Sequence, residues 1–332
     1  SALYDDLLAY LKLASELPGE GYNDLLAAWI LHTYLLDNFQ YSPIICLFAV
    51  PERGKTRTGK ALIYAAYRGL HVESLRDAYL VRVASNLHAT IFFDVRDMWR
   101  KAEKAGSDDV ILQRFERGVR VPRVMYPDRG PFNDTVYYDI FGPTIIGTNE
   151  GVHKILETRS ISINMPESDR QFDNDITPEN SLPLKERLLV FRASHMDSPL
   201  PDVSKPLKGR LGDILQPLLQ VIRLVKPDRE AAILRFVESL QAERLEDKAD
   251  SLEAEIIDAI SSLEKHVMDS VLPVKPITAA LNSTRSDANR ITSQRVGKRL
   301  AALGFTKKKI DGHRGIVWDQ EQLARLRSSY GL

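Results

Sequence analysis

The sequence contains a single cysteine, Cys46, among its 332 residues. One thiol can form no disulfide within the chain, and it cannot supply the several cysteines of a zinc-binding motif. A disulfide-stapled fold and a cysteine-based zinc site are therefore excluded. The low count suits a reducing compartment, so we expect a cytoplasmic protein.

Long apolar segments are also missing. The longest stretch without a charged residue, Asn38 to Pro51, has 14 residues, whereas a membrane-spanning helix needs about 20. The first ten residues, SALYDDLLAY, lack the basic start of a signal peptide. We therefore expect no membrane partner. Because the chain begins with Ser rather than Met, we expect it to be a fragment of a longer protein.

No sign of charge dominates the whole chain, because 45 basic residues balance 45 acidic ones. Residues 271–332 nevertheless carry 12 basic and four acidic side chains, a net charge of +8, so the preceding residues carry −8. A basic end on an acidic body favours the binding of a polyanion. The alternative is a basic tail that is merely solvated.

Apolar runs of strand length recur between helical segments, and 44% of the residues are hydrophobic, enough for a globular core. Runs without alternation are typical of strands buried on both faces of a parallel sheet. The strands are predicted at Ile44–Val50, Ala89–Phe93, Tyr137–Ile140, Thr144–Gly147 and Ile161–Met165, with helices at Thr56–Tyr67 and Val110–Arg117 between them. This alternation predicts an α/β fold with a mostly parallel sheet.

Helical periodicity dominates both flanks of the strand region. Helices are predicted at 3–17 and 22–37, then at 183–196, 212–226 and 228–240, followed by one long helix from Gln241 to Val271. Trp29 and His32 lie on the apolar stripe of the second helix, so we expect them in the core rather than at a ligand site.

The first strand runs directly into a phosphate-loop sequence, AVPERGKTRTGK. Two registers of the Gly-x-x-x-x-Gly-Lys-Ser/Thr pattern compete. One runs from Gly54 to Lys60 but places Ala61 at the magnesium-binding hydroxyl. The other loses the first glycine to Ala49 and keeps Gly54-Lys55-Thr56.

The second register is favoured because the loop must leave a strand and open a helix whose N-terminus faces the phosphates. Lys55 then supplies charge to the β- and γ-phosphates, and Thr56 supplies the hydroxyl for Mg²⁺. The predicted nucleotide-binding residues are Pro51, Glu52, Arg53, Gly54, Lys55, Thr56 and Arg57. A basic, solvated turn is the alternative.

Four further polar residues follow in a suggestive order. Asp94 ends the second buried strand and can hold Mg²⁺, and Asn149 follows a later strand and can orient the attacking water. Arg159 precedes a strand and can reach the nucleotide of a neighbouring subunit, while Arg210 can contact nucleotide from a helical lid. Each of these residues alone also suits an ordinary surface or strand-end role.

The order of these motifs along the chain resembles that of the AAA+ ATPase family. A strand leads through GKT into a helix, a second strand ends in Asp, and a third ends in Thr-Asn. An Arg then precedes a further strand, and another Arg lies in the helical lid. The similarity is closest to helicase domains of phage and mobile-element replication proteins, including primase–helicases. The resemblance implies a hexameric ring that uses ATP and Mg²⁺ to move on single-stranded or forked DNA, with a primase or origin-binding region preceding residue 1. Lys55 and Thr56 match Walker A, Asp94 Walker B, Asn149 sensor 1, Arg159 the arginine finger and Arg210 sensor 2.

The resemblance fails at one catalytic position, because Val95 stands where the family has a glutamate after the Walker B acid. Asp97 can replace that glutamate if a helix begins at Val95 and turns its carboxylate back toward Asp94. Otherwise the protein binds ATP and hydrolyses it slowly or not at all, as a DNA-binding initiator or scaffold. A clamp-loader or chaperone ATPase would leave the basic C-terminal end unexplained.

The C-terminal segment has the element order of a winged helix. A helix is predicted at Ile291–Leu303, a hairpin around Asp311-Gly312, and a last helix at Gln320–Ser329. The predicted DNA-binding residues are Arg295, Lys298, Arg299, Lys307, Lys308, Lys309 and Arg314. A winged helix that contacts protein is the alternative.

These features divide the chain into four expected parts. They are an N-terminal helical element (1–42), an AAA+ ATPase core (43–168), a helical lid (169–271) and a winged-helix DNA-binding domain (272–332). The expected function is ATP-dependent DNA unwinding or translocation during replication.

Overall fold

The computed structural model describes residues 2–49, 53–149, 154–283, 285–310 and 313–332. The chain forms two compact units, Ser1–Arg235 and Phe236–Leu332. Among the described residues, no helix is both long and apolar enough to cross a lipid bilayer.

The first unit alternates strands and helices. Its elements are α1 (Ala2–Ala14), α2 (Glu20–Tyr34), β1 (Ile44–Phe48), α3 (Lys55–Ala65), β2 (Gly69–Val72), α4 (Asp77–Leu87), β3 (Thr90–Asp94), α5 (Met98–Ala105), α6 (Asp108–Gln113), β4 (Arg120–Val124), β5 (Thr135–Asp139), β6 (Thr144–Thr148), α7 (Lys154–Glu157), β7 (Ser160–Asn164), α8 (Pro178–His195) and α9 (Gly209–Val225). The next helix, α10 (Glu230–Ala249), contains the point at which the two units divide.

Five strands form one sheet in the order β2–β3–β6–β1–β7. All neighbours in it are parallel, and the register pairs Ile44 of β1 with Thr144 of β6 and with Ser160 of β7. The predicted α/β fold with a parallel sheet is thereby confirmed. Because the strands are parallel, all their carboxyl ends lie at one edge of the sheet and all their amino ends at the other.

The second helix, α2, is buried along almost its whole length. The indole Nε1 of Trp29 donates to the Pro43 carbonyl at 3.0 Å, and Nε2 of His32 lies 3.0 Å from Oγ of Ser42. Both side chains are fully buried. The prediction that they belong to the core is confirmed.

A separate two-stranded hairpin, β4–β5, is inserted between β3 and β6. The strand predicted at Tyr137–Ile140 is β5, but it pairs antiparallel with β4 outside the parallel sheet, which corrects the expectation. Apolar side chains near the hairpin tip face solvent, and Phe132 is 88% exposed.

The second unit is built from short helices around a small antiparallel sheet. Its elements after α10 are α11 (Leu252–Ser262), β8 (Val271–Pro273), α12 (Val274–Asn282), α13 (Ser293–Ala302), β9 (Lys307–Ile310), β10 (His313–Val317) and α14 (Gln320–Tyr330). The strands are ordered β8–β10–β9. For residues 274–332, the predicted order of two helices, two strands and a last helix is the order observed.

The single long helix predicted from Gln241 to Val271 is wrong. The chain breaks between α10 and α11, where the hydroxyl of Ser251 accepts from the amide of Ala254 at 3.3 Å. A serine that caps a new helix in this way competes with continuation of the preceding one.

The apolar face of α11 belongs to the core of the second unit. Ile256, Ile257 and Ile260 pack there with Leu300 and Ile316. This core therefore reaches to the N-terminal side of the predicted boundary at residue 272. The four-part division of the chain stays a prediction.

Candidate functional site

The loop after β1 leads into the N-terminus of α3. Gly54 precedes the helix with φ of +78°, a left-handed conformation that glycine adopts without a side-chain clash. Lys55 and Thr56 are then the first two helical residues. Pro51 and Glu52, also predicted here, lie outside the described residues.

The competing register of the phosphate loop fits the geometry poorly. A Cβ added at Gly59 would lie 2.1 Å from Cζ of Phe92, so Gly59 is where α3 packs closely on β3. Ala61 is fully buried. These residues serve the core, which favours the register that ends in Lys55 and Thr56.

Four of the predicted side chains meet at the carboxyl edge of the sheet. Oγ1 of Thr56 donates to Oδ2 of Asp94 at 2.8 Å, and Nζ of Lys55 donates to Oδ1 of Asn149. Asp94 ends β3, and Asn149 follows the adjacent strand β6. Gly147 leaves room for the group, since a Cβ there would lie 3.3 Å from Oδ1 of Asp94 and 3.5 Å from Cδ of Lys55.

Partial burial lowers the pKa of Lys55, and the Asp94 carboxylate acts against that shift. The ammonium is half-buried and donates to Asn149. An anion beside α3 would restore the lost solvation, because an opposite charge within a few ångströms favours the charged amine.

A hydroxyl beside a carboxylate also suits Mg²⁺. This ion usually takes one or two protein oxygens and completes its octahedron with phosphate oxygens and water. Thr56 and Asp94 fit that requirement. Within the described part of the chain, no group of three or more His, Cys, Asp and Glu side chains is arranged to hold a metal alone.

The structure adds two residues that the sequence did not indicate. His71 of β2 stacks on Phe92 with ring centroids 4.8 Å apart, and its Nε2 lies 4.0 Å from Oδ2 of Asp94. Among the described residues this buried nitrogen has no hydrogen-bond partner. Burial lowers the pKa of His71, while the Asp94 and Glu73 carboxylates oppose the shift.

Glu73 directly follows β2 at the same edge of the sheet. Val72 pairs with Phe93 in the parallel register, so the next residues along the two strands are Glu73 and Asp94. Neighbouring strands lie about 4.8 Å apart. The sequence does contain a signal for these two residues, since His71 and Glu73 both lie at the end of a short strand. They were missed because β2 itself was not predicted.

Asp97 is not brought into this group. The helix α5 begins at Met98 rather than at Val95, so the premise that placed Asp97 one helical turn beyond Asp94 was wrong. Its Oδ2 instead accepts from Nη2 of Arg100 at 3.0 Å.

The two loop arginines are also engaged elsewhere. Arg53 donates to Oε2 of Glu167 at 3.1 Å. Arg57 donates to the carbonyls of Ala14 at 2.9 Å and Asn174 at 2.6 Å. Neither guanidinium joins the Asp94 group.

Arg159 and Arg210 lie at the opposite, amino edge of the sheet. Arg159 immediately precedes β7, donates to the Leu112 carbonyl at 3.0 Å and lies over the Phe115 ring at 4.7 Å. Burial lowers the pKa of Arg159, and the charge of Arg210 lowers it further, so the two cations are neighbours. A five-residue strand separates this edge from Lys55 by roughly 15 Å. The structure brings neither arginine to Lys55 of the same chain.

The predicted DNA-binding residues fall into two groups. Arg295 and Lys298 on α13, Lys307, Lys308 and Lys309 on β9, and Arg314 on β10 are exposed. Arg299 instead donates to Oε1 of Glu253 on α11 at 2.6 Å. Part of its charge is therefore neutralised within the unit.

No protein-family model matches the sequence, and no curated protein matches it. Among solved structures, the chain is similar to the apo C-terminal region (305–718) of NrS-1, at 14% identity and a TM-score of 0.40, over 96% of this chain and 75% of that one. It is similar to the SCCmec type IV Cch helicase at 14% identity and 0.42, over 100% and 70%. It is also similar to inhibitor-bound JCV helicase at 16% identity and 0.32, over 79% and 64%. Likenesses of this size leave activity to be argued from the residues of this chain.

Proposed function

We propose that this protein is an AAA+-type ATPase that moves along or unwinds DNA during replication, as an oligomeric ring. The observation that carries the proposal is the group at the carboxyl edge of the parallel sheet, above all the 2.8 Å hydrogen bond between Thr56 and Asp94. In α/β proteins, ligands bind at this edge where neighbouring strands connect in opposite directions. Here the connection from β1 runs to β2 on one side of the sheet. The connection from β6 runs past β1 to β7 on the other side.

In this proposal each side chain has a distinct task. Lys55 and the first amide groups of α3 bind the phosphates. Thr56 and Asp94 would hold Mg²⁺, which would supply positive charge beside the β- and γ-phosphates. Asn149 releases Lys55 to the nucleotide and orients the attacking water.

A cavity of about 260 Å³ near the start of α3 suits the base of the nucleotide. Ser15 lines it and shares a 2.6 Å hydrogen bond with Thr58 of α3. The cavity is also lined by Asn23, whose buried Oδ1 has no partner within the described residues. An exocyclic amino group such as that of adenine would satisfy this acceptor.

Glu73 is the acid we propose for activating water, because Val95 cannot and Asp97 is held by Arg100. It follows β2 at the register position beside Asp94 of β3. An acid at this place would accept a proton or fix the orientation of the water beside the γ-phosphate.

Arg159 and Arg210 are proposed to act on the nucleotide of a neighbouring subunit. They lie at the sheet edge opposite their own Lys55. If the amino edge of one subunit packed against the carboxyl edge of the next, the two arginines would lie beside the phosphates of the nucleotide bound to that next subunit. Cations placed there offset charge in the transition state. This arrangement is what makes a ring necessary for activity.

The second unit is proposed to be a winged helix that binds DNA. Its support is the order α12–α13–β9–β10 and the exposed cations on α13 and the β9–β10 hairpin. Cations on both elements suit a helix in a groove and a wing on phosphates.

The proposal is tested by ATP binding and hydrolysis with and without single-stranded DNA. Lys55→Ala should abolish nucleotide binding, because it removes the cation at the start of α3. Lys60→Ala is the matched control and should retain most of it. If Lys60→Ala loses nucleotide binding while Lys55→Ala retains it, the assigned site is overturned.

A second candidate function is an ATP-binding DNA initiator or scaffold without efficient turnover, which Val95 favours. Strand displacement on forked DNA separates the two. A wild-type chain that binds ATP tightly but neither hydrolyses it nor displaces a strand, even with DNA and Mg²⁺, would be the scaffold.

A further inference from the structure

The second unit contains a cavity of about 370 Å³ between α13, the start of α12 and the β9–β10 hairpin. This volume lies at the small end of the range of roughly 300–1,000 Å³ found for small-molecule sites. The space therefore suits one compact ligand.

The cavity joins an apolar floor to a basic rim. Val274, Leu300 and Ile316 form the floor. The rim consists of Lys307, Lys308, Lys309 and Arg314. Among the described residues, no carboxylate forms an ion pair with these four cations and no acidic side chain lines the space. A ligand that fits both parts has an apolar body and an anionic group.

Gly297 lies where α13 borders the cavity. A Cβ built on it would meet no atom within 4 Å, so close packing inside the unit does not require a glycine here. Glycine in a helix interior is nonetheless less stable than alanine. The missing side chain leaves the helix backbone open to a flat group entering from the cavity.

We propose that this cavity binds one unpaired nucleotide, with its base on the floor beside Gly297 and its phosphates on the lysines of β9 and on Arg314. The inference rests on the proposed DNA-binding role of the second unit and deepens it. It assigns to this unit the recognition of an unstacked base, in addition to contacts with duplex phosphates. A strand of DNA and a free nucleotide offer the same chemistry.

The test uses the full chain and fluorescence anisotropy with two probes. One is a short oligothymidylate, and the other is a strand of the same length with abasic sugars, which keeps the phosphates and lacks the bases. Gly297→Leu fills the cavity without removing charge. Ala302→Leu adds the same side chain at an exposed position of α13 outside the cavity, and thermal unfolding checks that both variants fold.

Gly297→Leu should weaken oligothymidylate binding about tenfold, because the leucine side chain occupies space that the base would need. It should leave the abasic strand unaffected, and Ala302→Leu should bind both probes like the wild type. Lys308→Ala should weaken both probes, whereas Lys275→Ala, an exposed cation outside the cavity, should have a smaller effect. If thymidine monophosphate competes with the probe, the occupant is a free nucleotide. If it does not compete, the occupant is a nucleotide within a DNA strand.

Unchanged oligothymidylate binding by a folded Gly297→Leu variant overturns the inference, even if Lys308→Ala weakens both probes. That result would leave the hairpin as a phosphate contact and the proposed DNA-binding role intact. Charge reversal of Arg295 and Lys298 in the full chain, combined with Lys308→Ala, separates the two failures. If the combined variant keeps the wild-type affinity for both probes, the second unit does not bind DNA.

Discussion

The carboxylate of Asp94 has neighbours on two sides. Thr56 donates to its Oδ2 from α3, and His71 of β2 lies 4.0 Å from the same oxygen. Glu73 follows β2 beside Asp94 in the parallel register, so an acid and an imidazole lie on the strand adjacent to Asp94, and the residue after Asp94 is Val95. This placement supports the proposed role of Glu73 in activating water.

Glu73→Gln should lower ATP turnover roughly 10²-fold, the size of effect expected for the loss of a general base. The affinity for ATP should stay near the wild-type value, because Glu73 does not contact Lys55 or Thr56. Asp97→Asn is the matched control and should turn over ATP at the wild-type rate. Steady-state hydrolysis together with nucleotide titration measures both quantities. The reverse pattern would return the role to Asp97.

The buried imidazole of His32 makes the first unit sensitive to acid. Burial lowers the pKa of His32 to about 3, whereas an unfolded histidine has a pKa of about 6.5. Below pH 6.5 the unfolded chain therefore binds a proton that the folded chain does not. From His32 alone, the free energy of unfolding should fall by about 1.4 kcal/mol per pH unit as the pH drops below about 6 toward 3.

His32→Gln removes this proton uptake and should flatten the dependence of stability on pH below 6. The exposed His88 offers a control, because His88→Gln should leave the slope unchanged. Urea unfolding at several pH values gives both slopes. Equal slopes in the wild type and His32→Gln would show that other groups cause the acid sensitivity.

At the scale of elements, one buried cation joins the amino ends of two central strands. Arg114 donates to Oγ1 of Thr144 and the carbonyl of Ile140, both at 3.0 Å, and to the carbonyls of Ala89 and Pro143. Ala89 precedes β3, and Pro143 precedes β6. Arg114 is fully buried, and this burial lowers its pKa to about 9.

Arg114→Met should lower the free energy of unfolding by about 3 kcal/mol or more, because several buried carbonyls lose their donor. Arg120→Met, at an exposed position of β4, should change it by less than about 0.5 kcal/mol. Urea denaturation measures both. Similar losses in the two variants would mean that the carbonyls find other donors.

The central strands could be predicted from the sequence because burial on both faces leaves an uninterrupted apolar run. The β2 segment GLHV could not be predicted, since it has only four residues, including a glycine and a histidine, and is an outermost strand of the sheet. The break at Ser251 was missed because charged residues continue a helical pattern through it.

The same distinction holds for the candidate site. Lys55, Thr56, Asp94 and Asn149 were predictable because each adjoins the carboxyl end of a recognisable strand. The placement of Arg210 was not, because it depends on the packing of α9 against distant segments, which no local spacing encodes. His71 and Glu73 were not predicted as site residues because β2 was not predicted as a strand.

At the scale of the whole molecule, the two sheet edges carry complementary halves of one proposed active site. The carboxyl edge holds Lys55, and the amino edge holds Arg159 and Arg210. In the proposed assembly, a single subunit supplies the two halves to two different sites. Activity should therefore depend on assembly, and inactive subunits with different defects should repair one another.

A mixture of Arg159→Ala and Lys55→Ala chains should hydrolyse ATP faster than either variant alone. In the mixture, some interfaces combine an intact Lys55 from one chain with an intact Arg159 from the other. Hydrolysis measured over a series of mixing ratios should peak near equal amounts. Mixing Arg159→Ala with a second batch of itself is the control, and a flat series would place Arg159 in its own subunit's site or outside catalysis.

The central position of β6 has a consequence for synthesis of the chain on the ribosome. Strand β1 emerges about 100 residues before its partners, which begin at Thr144 and Ser160, and β3 also pairs with β6. Until β6 has left the exit tunnel, β1 and the β2–β3 pair have no strand to join them. Their unpaired edges and apolar faces stay available to other chains or to chaperones during this interval. The first unit therefore joins its early strands only when β6 arrives, and β7 then completes the sheet.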